Sequence, residues 1–524
     1  MANTDLVNIF SPRFEYIKGK EAWRENLRLT AFAADRIRSS LGPNGAYKMV
    51  SYNRGPEKIV KITRDAAAVV EELATQYPTL VVLSEAAKLQ RQEIGDGVKS
   101  FIILTAELLK KANELVSKGV HPTRIIKGYS KATLKALEII SSISKPLHES
   151  EINSVLDSVD CGRGCITRNI REMLGQAESI ATRDGQLDKD LIRIVRKPGG
   201  NQSETILFKG LVIKKSKLHP NMLESIEKAK IALTNGRIGI NRTEVKMPGQ
   251  GPFSMNLNVT VPKNLVEFKN SEKQKKHETF ASLKEKGVNV LFSQQPIDDY
   301  SKSKLLKMGT LAFASVDPTD LALISKATKA RIVTNIVELE KTDVGFADRI
   351  VMDRIGLEDV CILQGGPFAT FLIRGSSLQA LDELELSIQN AMQLLQVAKA
   401  SPNVVAGSGA AEVRVSKVLK DFALQFPGRE QLAINEFSEA LLEIPRALAA
   451  NNGVFAEETL TNLGEMHHQG LIDYGIAEDG ECAMACKEVS GVINSVVRRA
   501  FEVASLLLRI DEQIVAKEIP KFHK

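Results

Sequence analysis

The sequence predicts an α+β multidomain chain, in which a helical domain made from both chain ends encloses a strand-rich insert with an α/β pattern. Three observations carry this. The N-terminal part and nearly everything after residue 376 space their apolar residues as helices do. From about residue 190, short β-branched runs punctuated by glycine take over. The length, 524 residues, allows about three domains.

Taken in order, residues 20–40 and 66–92 place alanines and leucines at i, i+3 and i+4 with charges between them, which predicts helices. LGPNG at 41–45 ends the first with a Gly-Pro and Asn-Gly turn. Residues 98–118 form a long amphipathic helix ended by Gly119, and His121-Pro122-Thr123 opens another through IIKGYSKATLKALEII. IRIVRKPGG, ETILFKGLVIKK and KAKIALTNG read as strands. Residues 264–287 are a charged helical segment with few large apolar residues, which predicts a poorly buried, projecting element. VNVLF, LAFASV and ARIVTNI read as core strands alternating with helices such as 318–329. From 376 onward helix returns, interrupted by VVAGSGA. No fixed-period repeat and no low-complexity linker breaks this order.

Composition narrows the function. Hydrophobic residues make up 43%, enough for real cores. The net charge of +6, from 70 basic and 64 acidic residues, is mixed and mild, which argues against a nucleic-acid partner. No run approaches about 18 uninterrupted apolar residues, and the N-terminus shows no leader pattern, so a soluble, cytoplasmic protein with no membrane partner is expected. Cys161/Cys165 and Cys482/Cys486 each form a C-x3-C, and Cys361 stands alone. On a helix each pair would share a face and suit a metal, but zinc hooks favour C-x2-C, so ordinary buried thiols are the expectation.

Three Gly-rich turns stand at helix boundaries: LGPNG at 41–45, GDG at 95–97 and AGSG at 406–409. The second and third precede helical runs, whose free N–H groups suit phosphate and equally suit a plain helix cap. Asp96, between glycines, is placed for Mg2+, which takes oxygen ligands together with phosphates. Asp65 follows a β-like run and opens a helix, a pattern that fits catalysis or an N-cap.

LGPNGAYKMV, ITRDAAAVVEEL, EIGDGVKSF, FKGLVIKKSKLHPNM, FLIRGSS, ELELSIQNAM, VVAGSGAAEV, FSEALLEIPRALAANNGV and LLLRIDEQIVAK follow one another across nearly the whole chain. Together they resemble the group II chaperonins, the archaeal thermosome subunits and the subunits of the eukaryotic cytosolic chaperonin. QYPTL, GREQLAI and GSGAAEV resemble the zeta type of the cytosolic complex, while the overall divergence equally suits an unusual thermosome subunit. The resemblance implies a helical equatorial domain at 1–144 and 400–524, a hinge-like intermediate domain at 145–212 and 372–399, and an α/β apical domain at 213–371 with a helical protrusion at about 247–285. It implies ATP or ADP with Mg2+, sibling subunits in a double ring of about 16–18, and unfolded polypeptide clients.

Carried over position by position, the phosphate-binding turns fall on Leu41, Gly42 and Pro43, and on Gly95, Asp96, Gly97, Val98, Lys99 and Ser100. The metal aspartate falls on Asp96, an aspartate near the γ-phosphate on Asp65, and the nucleoside turn on Gly407, Ser408 and Gly409. The chain departs from the pattern at chemically important places. The two hydroxyls of GDGTT are Val98 and Lys99, the middle glycine of Gly-Gly-Gly is Ser408, and the arginine expected after Glu385 is Leu386. The catalytic aspartate is Asn390 and the ribose aspartate is Asn494. An amide can orient water but cannot take its proton, so the resemblance with these changes implies a chaperonin subunit with weakened ATP hydrolysis. The alternative is a structural or regulatory ring subunit that scarcely binds or hydrolyses ATP.

Overall fold

The computed structural model describes residues 14–54, 57–74, 77–148, 154–156, 167–183, 185–238, 278–355 and 358–516. Helices from the two chain ends pack together: Lys20–Arg38, Val98–Ser117 and Pro122–Ile143 meet Ala410–Ala423, Arg429–Leu441 and Ser490–Leu508. Their apolar faces converge on the fully buried Phe101, Ile102, Tyr129 and Phe437. Tyr129 stands edge-on to Phe437 at 5.5 Å, and its hydroxyl donates to the Leu108 carbonyl at 2.9 Å, so its polar tip is satisfied inside an apolar layer. The strands Phe14–Lys18 and Glu512–Ala516 pair antiparallel, which closes the two ends of the described chain on each other.

The middle of the chain holds two larger sheets. In one, Leu311–Phe313, Val290–Ser293 and Ser225–Thr234 run parallel, and Gly345–Ile355, Glu358–Gln364 and Leu211–Ile213 continue antiparallel; Ile332–Val333 also pairs with Ser225–Thr234. The helices Asp299–Lys307 and Pro318–Thr328 follow its parallel strands, as the α/β pattern predicts. In the other, Ala369–Gly375 lies between Ile192–Pro198 and Ile206–Lys209. After this central strand the Leu378–Ala400 helix runs back to the helical layer and meets Pro78–Ile94. That run carries Asn390 to the GDG turn.

The structure corrects several expectations. The helix expected over 66–92 is two, Ala66–Leu73 and Pro78–Ile94. Pro78 starts the second, where its missing N–H is harmless. A hairpin, Lys48–Arg54 with Glu57–Thr63, precedes Asp65, of which the sequence showed only a short β-like run. The C-terminal part is not nearly all helix. Tyr474–Ile476, Cys482–Met484 and Lys487–Val489 are strands, too short to show a period of two. Cys482 and Cys486 are therefore half-buried in and beside strands, not paired on a helix, while Cys361 is fully buried. Cys161 and Cys165 lie outside the described residues, as does most of the protrusion at 247–285. The described end, helical over 278–285, buries Phe280 and Leu283, so that end is docked, not projecting. Among the described residues no helix is long and apolar enough to cross a membrane.

Two glycines separate packing from backbone strain. Gly95 and Gly119 both have φ 85°, but a Cβ on Gly95 would meet the Asn390 carbonyl oxygen at 2.4 Å, whereas one on Gly119 would meet nothing within 4 Å. Gly119→Ala should cost about 1 kcal/mol, the left-handed term alone, and Gly95→Ala about 2 kcal/mol more. Chemical denaturation of the two variants side by side measures this, and equal losses would refute the contact.

Candidate functional site

The GDG turn is built by three helices. Gly95 ends Pro78–Ile94 and Gly97 precedes Val98–Ser117, both in the left-handed region. A Cβ on Gly97 would stand 2.7 Å from Val496 and 2.8 Å from Val492, so Ser490–Leu508 also excludes a side chain there. Gln90, fully buried, donates to the Asp96 carbonyl at 2.9 Å and accepts from the Ser495 hydroxyl at 2.6 Å. Asp96 Oδ1 accepts from the Gly97 N–H at 2.7 Å. Gly97, the N-cap of the Val98–Ser117 helix, has no side chain to cap it, and the Asp96 carboxylate stands at that positive end.

Asp65, Gly95, Asp96, Val98, Lys99 and Asn390 line one small cavity of about 50 Å3, together with Arg64, Glu383, Leu386 and Ser387. Asp65 is the N-cap of Ala66–Leu73, accepting from the Ala68 N–H at 2.9 Å. The same oxygen, Oδ2, accepts from Arg91 Nη1 at 2.6 Å. Glu383, seven residues before Asn390 and so on the same helical face, accepts from the Thr63 hydroxyl at 2.7 Å and the Arg64 N–H at 3.1 Å. These bonds tie Leu378–Ala400 to the strand end that leads into Asp65. A larger cavity of about 500 Å3 adjoins across Leu386 and Asn390 and is rimmed by Arg91, Lys189 and Asp190.

The other sequence-predicted residues do not line the small cavity. Leu41 is buried, and its carbonyl accepts from Asn451 at 2.8 Å. Gly42, at φ 79°, packs on Leu448, and its carbonyl accepts from Arg64 Nη2 at 2.6 Å, which links LGPNG, with Pro43, to the cavity. Ser100 is half-buried on the first turn of its helix. Gly407, Ser408 and Gly409 bend the chain into Ala410–Ala423, Ser408 at φ 55° and Gly409 at φ 82°. The bend is held by Gly407 N–H to the Cys486 carbonyl at 2.8 Å and Ile476 N–H to the Ser408 carbonyl at 3.0 Å. Asn494 lies between the two valines that pack on Gly97, and its Oδ1 is buried with no hydrogen-bond partner among the described residues.

Sequence reasoning missed Arg64, Arg91, Gln90 and Glu383. Glu383 carried a signal, its seven-residue spacing from Asn390. The others could be found only once three helices were brought together.

The donor set suits an anion such as phosphate: a helix start, Lys99 and Arg64. The buried, unbonded Asn494 Oδ1 suits a hydroxyl donor, as a ribose would offer. For a divalent metal the fit is partial. Asp96 offers a carboxylate, but Asp65 is already engaged by Arg91, and among the described residues no group of three or more His, Cys, Asp or Glu is arranged to hold a metal ion.

The profile of the TCP-1/cpn60 chaperonin family matches residues 34–518. The chain belongs to that family. It is 34% identical to a thermosome subunit of Methanopyrus kandleri over 98% of this chain and 96% of the relative. It is 34% identical to thermosome subunit alpha of Archaeoglobus fulgidus, over 96% of this chain and 93% of the relative. For a thermosome subunit of Pyrococcus abyssi the figure is 35%, over 96% and 92%. These likenesses make the chain a group II chaperonin subunit, a chaperone of protein folding.

One buried acid of this chaperonin chain predicts a pH effect. Glu412, on the first turn after the Gly409 bend, is 6% exposed, and burial pushes its carboxyl from 4.5 up to about 7. The folded state therefore holds a proton that the unfolded chain releases. Its contribution is full below pH about 4.5 and is lost as pH rises through about 7, a difference of up to about 3 kcal/mol. Glu412→Gln, which keeps the shape of the protonated acid, should stabilise the protein at pH 8 and leave it unchanged at pH 4.5. Parallel stability curves for parent and variant between those values would show that Glu412 is ionised in the fold.

Proposed function

We propose that this chain is a subunit of a double-ring chaperonin of about 16–18 sibling subunits, assisting ATP-dependent folding of unfolded polypeptides, with weakened ATP hydrolysis of its own. The single observation that carries the weakened hydrolysis is Asn390, which lines the same small cavity as Asp65 and Asp96. We assign nucleotide phosphates to Gly95–Ser100 and the Leu41–Pro43 turn, the nucleoside to Gly407, Ser408, Gly409 and Asn494, and any accompanying Mg2+ to Asp96. The equatorial, intermediate and apical divisions follow the boundaries expected from the resemblance.

ATP, when bound, supplies the phosphoanhydride to be cleaved. The chain must then place a water and take its proton. Asn390 offers a carbonyl that can hold a water and no group that accepts a proton near neutral pH. Of the acids that line the cavity, Asp65 accepts from Ala68 and Arg91, and Glu383 accepts from Thr63 and Arg64. General-base and positioning effects are worth about 10²–10⁴ in rate, and that is the scale of the loss. The Asp65–Arg91 pair and the small cavity also support a second reading, a structural or regulatory ring subunit that scarcely uses ATP.

Asn390→Asp should raise phosphate release by the assembled ring, by at most about 10²–10⁴, with little change in nucleotide affinity. The gain should be larger when Val98 and Lys99 are also changed to Thr, because positioning and proton transfer act as a unit. A triple variant that binds ATP-Mg2+ tightly but hydrolyses no faster than the parent would show that Asn390 does not hold the lost role. Absence of nucleotide binding by every variant would leave the structural reading. Native mass of the chain with its sibling subunits tests the ring, and a monomer under all conditions would refute it.

A further inference from the structure

The charges around the small cavity balance without a metal. Asp65, Asp96 and Glu383 bring three negative charges, and Arg64, Lys99 and Arg91 bring three positive ones, five of the six lining the cavity and Arg91 joining through Asp65. Lys99 is 6% exposed, on the first turn of the Val98–Ser117 helix, and lines the cavity with Asp96. Lys99 thus lines the same small cavity as the acid that would serve a cation. The Asp65 carboxylate is 8% exposed and holds Arg91 at 2.6 Å through Oδ2, so a cation at this acid would sit against a guanidinium that already neutralises it. Asp96 Oδ1 is engaged by the Gly97 N–H. Mg2+ prefers several oxygen ligands in octahedral geometry and parts with its waters reluctantly, and here the acids offer it little.

Phosphate meets the opposite situation. The uncapped helix start, Lys99 and the guanidinium of Arg91 all favour an anion. Arg91 uses one of its five N–H donors on Asp65 and also lines the larger cavity that shares Asn390. Asp65 thereby fixes the guanidinium in place while leaving donors over.

We propose that this site binds the phosphates of a nucleotide without needing a divalent cation, Lys99 and Arg91 supplying the positive charge that Mg2+ would otherwise bring. This rests on the nucleotide-binding reading above and deepens it. It also gives Lys99 and Arg91 a purpose: a phosphate tail held by fixed protein cations stays bound while hydrolysis is slow.

The test is a calorimetric titration of the purified full chain with ADP, once with excess Mg2+ and once with EDTA. The parent should bind with dissociation constants that agree within about threefold, since its own cations do the work. Lys99→Met should weaken binding in EDTA about tenfold or more, on the order of one charge-assisted contact. Lys99→Thr should bind at least about tenfold more tightly with Mg2+ than with EDTA, because the charge it loses is the one the metal replaces. Arg91→Gln should weaken binding under both conditions. Unchanged thermal midpoints of the variants, measured beside the titrations, separate lost contacts from lost folding. If the parent binds ADP with Mg2+ but more than about tenfold less tightly in EDTA, the proposal is overturned and the nucleotide reading stands. If the folded parent binds ADP under neither condition, the nucleotide reading falls and the proposal with it.

Discussion

The backbone of Gly95 lies so close to the Leu378–Ala400 helix that a Cβ would meet the Asn390 carbonyl oxygen at 2.4 Å and the Gln393 side chain at 2.8 Å. Much of the site depends on this approach. It fixes how near Leu378–Ala400 comes to the GDG turn, and so places residue 390 on the cavity. Two side-chain bonds hold the same approach: Gln393 donates to the Glu93 carbonyl at 2.7 Å, and Glu383 accepts from Thr63 and Arg64. Gly97 makes the matching approach to Ser490–Leu508. The two glycines therefore let helices from distant parts of the chain converge on bare backbone.

Around that convergence, on the proposed reading, the chain keeps the turns of the resemblance and alters the groups expected to react. Glycines, Asp65 and Asp96 remain, and the GDG turn is clamped by Gln90 and Ser495. What differs is charge. An amide stands at 390 and a lysine at 99, where the resemblance implies an acid and a hydroxyl, and a guanidinium holds Asp65. On the proposed reading these groups favour a site that holds an anion by protein cations. Arg193 reaches the buried Asp320 at 2.7 Å and Lys326 reaches Asp190 at 2.7 Å. Both bonds join the three-stranded sheet region to the Pro318–Thr328 helix.

Much of this was legible in the residues. The long helices at 20–38, 98–117, 122–143, 378–400 and 490–508 announce themselves by apolar period, since each is long enough for several turns to repeat. The parallel strands at 290–293 and 311–313 show as buried β-branched and aromatic runs. The three strands between 474 and 489 were not legible, because three residues cannot display a period of two. The break before Pro78 was readable from the proline but was outweighed by the helical spacing on either side.

The sequence by itself determined the family, the order of helical and strand-rich parts, and the chemical identity of the altered residues, because these reside in residue types and local periods. It also determined that position 390 carries an amide, on which the proposed weakened hydrolysis rests. Only the tertiary structure decided which charges meet. Arg91 and Asp65 are 26 residues apart, Glu383 and Thr63 are 320 apart, and no local period connects them. Whether Asp65 is an available acid or a spent one depends on a 2.6 Å contact with Arg91, and such contacts arise only where separate helices pack. Electrostatic balance in a cavity is a sum over neighbours in space, which is why the tertiary structure, and not the order of residues, decided it.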